Sequence, residues 1–203
     1  MKKLLFVTLA AVAVVLAGCV VTSVCPFYTQ KELGFEPALL GNWINEKNTD
    51  EVWRFQKSSA QAYRFTLLEE HKATVMEAHA FKLQGQLFLD VVSIEQDIHV
   101  IPAHYLLKIS QLRPLLRMSE LDDEWLIGLL QKDPTLLRHH IVKTGDKPED
   151  RRIVLTANTP ELQKFVITHL NTKEAWSDSI ELRPELPGNS LAPDALGGIL
   201  TEN

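Results

Sequence analysis

Polar and apolar side chains alternate along the middle third of the chain. In residues 62–67, Tyr63, Phe65 and Leu67 fall on one face, and residues 72–83 repeat the two-residue period with Val75, Phe81 and Leu83 in register. Gln84-Gly85-Gln86 separates that run from a second one, residues 87–93, which predicts a hairpin. Tyr105, Leu107 and Ile109 mark a further strand. The period then lengthens. Ser119 is placed to cap a helix over 119–132, with Asp122 and Asp123 in its first turn, Trp125, Leu126, Leu129 and Leu130 at helical spacing and a stop at Pro134. Thr159-Pro160-Glu161 opens a second helix, which buries Leu162, Phe165, Val166 and Leu170. Strands near 140–143 and 152–156, with a polar turn through Gly145 and Pro148, lie between them, and residues 179–182 form a last strand that closes the sheet. The expected fold is mainly β (α+β), an antiparallel meander curling into a barrel or sandwich with two helices outside.

The ends break this pattern. Lys2 and Lys3 precede an apolar run over residues 4–17, interrupted only by Thr8. A helix of that length rises about 21 Å, short of the ~30 Å hydrocarbon core, so the segment suits a cleaved signal over residues 1–18. Leu16-Ala17-Gly18-Cys19 resembles the lipobox of bacterial lipoproteins. The resemblance implies cleavage before Cys19, which would carry diacylglycerol and an amide-linked acyl chain such as palmitate, enough to hold the domain on a bilayer. Val20 stands where an aspartate commonly marks inner-membrane retention in such proteins, so the outer membrane, facing the periplasm, is implied. Residues 19–38, with Pro26, Gly34 and Pro37, are expected to be a linker, and the proline- and glycine-rich residues 184–203 a mobile tail. The domain proper is then 39–183.

Gly41-Asn42-Trp43, just before the first strand, resembles the G-x-W of lipocalins and related calycin barrels. That resemblance implies an eight-stranded barrel, Gly41 permitting a tight backbone approach, Trp43 across the barrel floor, and the second helix as the flank. Residues 81–90, 121–126 and 156–162 also resemble the pattern of small uncharacterised bacterial lipoproteins.

The chain has 203 residues, 45% apolar and 23% charged, which is enough to bury a core without metal or disulfide help. Removing residues 1–18 takes Lys2 and Lys3 away and moves the net charge from −5 to −7. With no cluster of basic residues, nucleic acid is not an expected partner. With Cys19 acylated, Cys25 would be a free thiol, an intermolecular disulfide or one more small residue of the tether.

Glu77 and His79 share a strand face with Val75, Phe81 and Leu83. If that face is interior, they form a ligand-orienting pair; if Met76, Ala78 and Ala80 face inward instead, both lie outside. Asp90 and His104 would add ligands for an ion, but Asp90 is out of phase with Leu87, Leu89 and Val91. No His-Glu-x-x-His or Cys-x-x-Cys spacing is present, and no metal or cofactor is expected. Gly-x-Ser-x-Gly, a paired Ser and Lys, and a phosphate loop are also missing, so no enzyme is expected. The sequence reading is a lipid-anchored envelope protein. Its barrel, walled by Trp43, Trp53, Phe55, Tyr63 and Phe65, binds a small apolar or amphipathic ligand, or is filled and meets another envelope protein.

Overall fold

The computed structural model describes residues 21–70, 72–94, 101–143 and 151–185. Cys19 and the expected signal segment, residues 1–18, lie outside these residues. Eight antiparallel strands close a lipocalin-like barrel: β3 (Gly41–Asn45), β4 (Glu51–Lys57), β5 (Tyr63–Glu69), β6 (Lys72–Leu83), β7 (Gln86–Ser93), β8 (His104–Gln111), β9 (Leu116–Glu120) and β12 (Ile180–Pro184). The first seven form a meander, and β12 returns between β9 and β3 to complete the circuit. β1 (Thr22–Ser23), β11 (Arg151–Leu155) and β10 (His139–Lys143) extend the sheet outward from the first residues of β8. β2 (Leu33–Gly34) pairs with β6.

Alternation places one set of side chains inside. Leu39, Trp43, Trp53, Phe55, Tyr63, Phe65, Leu67, Ala78, Ala80, Leu89, Val91, Leu107, Ile109, Leu116, Met118 and Leu182 form one buried cluster. Arg54, Gln56 and Arg64 point outward, the reverse of a membrane-spanning barrel, whose apolar side chains face lipid. The β6–β7 hairpin turns on two residues with positive φ, Gln84 at 48° and Gly85 at 84°, the geometry that matches strand twist in a two-residue loop.

A second core lies outside the barrel. α1 (Asp123–Lys132) and α2 (Thr159–Thr168) cover the outer faces of β6, β7 and β8, burying Phe81, Leu83, Phe88 and Leu106 against Leu126, Leu130, Leu162, Phe165 and Val166. α1 starts later than the sequence suggests. Residues 116–120 are β9, and Asp122 is the cap, accepting from Trp125 N. Leu116 and Met118 alternate into the barrel, and that pairing outweighs the local capping signal of Ser119. α2 is capped by Asn158 in a reciprocal arrangement with Glu161, which puts Thr159 and Pro160 inside its first turn.

The expected linker is a correction. From residue 21 onward the segment is part of the fold: Val21 and Phe27 are buried, β1 bridges β8 and β11, and β2 lies on β6. Phe27 alone removes enough apolar surface from water to contribute about 2–3 kcal/mol. Cys25 sits half-buried against the outer core. The tail boundary moves as well, because Pro184 pairs with Trp43 and Glu185 N–H donates to Asn42 O.

Candidate functional site

The barrel interior is the first place to look for a ligand. Trp43 is 1% exposed, Phe55 1%, Tyr63 0%, Leu89 0%, Leu116 0% and Met118 0%. Phe55 stacks on Phe65 with ring centroids 4.8 Å apart, and Trp53 tilts against Phe65 at 5.1 Å. Eight strands enclose room for side chains alone or for one small ligand, and the inward positions here carry large, fully buried residues.

One end is closed by a short 3-10 turn, Pro37–Leu39. Trp43 Nε1 donates to Leu39 O at 2.8 Å, which seats the indole at this end. Arg113, in the β8–β9 loop, lies 4.5 Å from the Trp43 ring centroid and donates to Ala38 O at 3.1 Å, strapping turn and indole together. Arg113 was not singled out from sequence, since nothing local distinguishes it from other loop arginines. Tyr63 OH adds a further tie, donating to Glu36 O and accepting from Glu36 N, and burial pushes its phenol pKa up. Gly41 has φ of +120°, and a Cβ at that position would meet no atom within 4 Å, so its need is conformational and not the close approach expected.

The other end is more polar. Glu51 is 3% exposed and points inward in phase with Trp53 and Phe55. Its Oε1 accepts from Asn45 Nδ2 at 3.1 Å and from Trp53 Nε1 at 2.5 Å, while Oε2 is buried without a hydrogen-bond partner among the described residues. Glu120, also in phase with the interior, has its carboxyl pKa raised by burial first and then by the charge of Asp123.

Glu77 and His79 do not line this interior. Met76, Ala78 and Ala80 face inward, and the pair stands on the outer wall with Phe81. The ambiguity has a physical source: the second half of β6 is covered on both faces, by the barrel core and by the outer core. His79 Nε2 lies 2.8 Å from Glu77 Oε1, and the Tyr28 ring packs at 4.9 Å from the imidazole.

Asp90, cross-strand from His79, is 0% exposed. Its Oδ1 lies 2.6 Å from His104 Nδ1, and its Oδ2 accepts from Phe27 N at 2.8 Å. Burial, then the charge of Asp90, then that of Glu77, pushes the Tyr28 phenol up to about 12. The structure therefore brings all four sequence candidates, Glu77, His79, Asp90 and His104, onto one patch of the outer wall. Among the described residues no three potential ligands converge to hold a metal ion.

The chemistry of this patch is attachment. A buried carboxylate holding an imidazole resembles half of a nucleophile-activating relay. Ser23, opposite His104 in the ladder, is fully buried, and its hydroxyl donates to Cys25 O and accepts from Cys25 N. It is committed to the backbone turn and unavailable to a substrate. From the other side, Thr159 Oγ1 donates to Pro26 O at 2.7 Å and Gln163 Nε2 to Phe27 O at 3.1 Å. The segment around Phe27 is thus clamped between the barrel wall and α2.

No family model matches the chain, and neither the curated proteins nor the solved structures yield a match. The fold itself defines the class, a lipocalin-like β-barrel protein with two external helices.

Proposed function

We propose that this chain is a lipid-anchored envelope lipoprotein whose filled barrel acts as a rigid, non-catalytic module, presenting its outer surface to another envelope component. The observation that carries the reading is the buried barrel interior, where Trp43, Phe55, Tyr63, Leu89, Leu116 and Met118 are each at most 1% exposed and belong to one cluster. The cationic start, the apolar run and Leu16-Ala17-Gly18-Cys19 support an anchor at Cys19, and Val20 supports the outer membrane, facing the periplasm.

Titrating the purified full chain with fatty acids and phospholipids while following its melting temperature tests the module. A ligand that binds only the folded state raises that temperature by mass action, and none is expected to. A concentration-dependent rise would instead support a carrier. Cys19→Ala is expected to release the protein from membranes into the soluble envelope fraction. A second reading, an amphipathic ligand seated at the polar end of the barrel, draws on Glu51, whose buried Oε2 has room in its chemistry for one more donor.

A further inference from the structure

A cavity of about 240 Å³ opens outside the barrel, between α2 and the loop that joins α1 to β10. The loop wall is held in place by its own bonds. Asp133 Oδ1 accepts from Thr135 N and Oγ1, Leu137 is buried in the outer core, and Arg138 O accepts from Thr156 N at 2.9 Å. Facing it on α2 are Glu161, Lys164, Phe165 and Thr168, with His169 at the C-cap. Their three- and four-residue spacing turns one face of the helix toward the space.

The inner wall is aromatic. Phe165 is buried, its ring centroid lies 4.6 Å from that of His169, and the imidazole meets the Trp125 ring edge-on at 5.0 Å. Neither ring nitrogen of His169 has a hydrogen-bond partner among the described residues. Burial lowers the pKa of this imidazole, which favours its neutral form. Leu136, an exposed leucine, adds apolar surface from the loop side.

The charges lining the cavity do not balance. Arg138 Nε and Nη2 both donate to Glu161 Oε2, at 3.1 and 2.9 Å, so one cation is matched by one anion. Both of these side chains are exposed, and such a pair rearranges at little cost. The Lys164 ammonium has no carboxylate partner among the described residues. The site therefore lacks a single negative charge, in a chain whose net charge is −5. Its volume sets the size of what could supply that charge: at the ~30 Å³ that a water takes in the liquid, it holds about eight non-hydrogen atoms.

We infer that this cavity binds a small aromatic monocarboxylate, with its ring extending the Phe165–His169 cluster and its carboxylate on Lys164, and Arg138 as a second donor. A phosphate dianion would exceed the one unbalanced charge and leave the aromatic wall uncovered. No residue of the barrel cluster lines the cavity, so the inference stands apart from both the anchor and the filled barrel.

Ligand-observed fluorine NMR of para-fluorobenzoate tests it, with the full chain in neutral detergent micelles and protein-free micelles as the blank. Binding is expected as line broadening that excess benzoate reverses. Lys164→Gln, at an exposed position, is expected to weaken binding about tenfold, as for loss of one hydrogen bond to a charged group. Thr168→Trp, also at an exposed position, keeps every charge and fills the space, and is expected to abolish the broadening. Para-fluorobenzyl alcohol, which has the ring without the charge, is expected to bind about tenfold more weakly than the carboxylate. Broadening no greater than the blank, or equal in the wild type and both variants, overturns the inference. Equal binding of the alcohol and the carboxylate overturns it as well, because the unbalanced charge would then select nothing.

Discussion

Tyr28 concentrates the electrostatics of the outer wall. Its ring covers His79 and Phe81, and its phenol is surrounded by low-dielectric packing and two carboxylates, Asp90 and Glu77. The fold therefore favours the neutral phenol, whose pKa moves from its ordinary value of 10.0 to about 12. For a group of this sign the stabilisation is whole below the unfolded value and disappears as pH rises through the folded one. Stability measured by urea unfolding is thus expected to fall between pH 10 and about 12, and Tyr28→Phe to make that fall shallower. The buried phenol of Tyr63 accounts for part of the remainder. An unchanged slope in Tyr28→Phe would show that the phenol is not held neutral by this site. Asp90 was visible in the sequence as a charge out of phase in an apolar run, yet its role was not. A carboxylate in a strand buried on both faces must find donors, and the donors here, His104 and Phe27 N–H, come from distant parts of the chain.

Among elements, the strands with long clean alternation were legible: β5, β8 and the β6–β7 hairpin with its Gln84-Gly85 turn stand within a residue or two of their expected places. The helices were legible from their spacing but not from their caps, which are Asp122 and Asn158 in place of Ser119 and Thr159, and β9 was absorbed into the start of α1. The N-terminal segment was not legible. β1 and β2 are two residues each, too short for any period, and prolines at 26 and 37 mimic a linker. What fixes this segment is tertiary: the Asp90 and Gln163 hydrogen bonds and the burial of Phe27. Phe27→Ala is accordingly expected to lower the unfolding free energy of the whole domain by about 3–5 kcal/mol, as for a core aromatic. A linker residue would give a change within about 0.5 kcal/mol, so chemical denaturation distinguishes the two.

At the scale of the molecule, two cores share one set of strands. β6, β7 and β8 send alternate side chains into the barrel and into the layer beneath α1 and α2, which makes both layers and the N-terminal segment one cooperative body. The alternation pattern alone left a barrel and a sandwich open, and the closed barrel was expected from the resemblance of Gly41-Asn42-Trp43 to the lipocalin G-x-W. Whether its interior was lumen or core did not follow, since the same aromatic residues serve either purpose. The burial of the inward side chains supports a core, and the function proposed here is that of a barrel without a resident ligand. Native mass spectrometry of the full chain, transferred gently from detergent, tests that claim most directly. The expected result is a single mass, the polypeptide with its acyl groups on Cys19 and nothing more. An additional apolar molecule that stays with the folded chain and leaves on unfolding would contradict it, and would make the barrel a carrier.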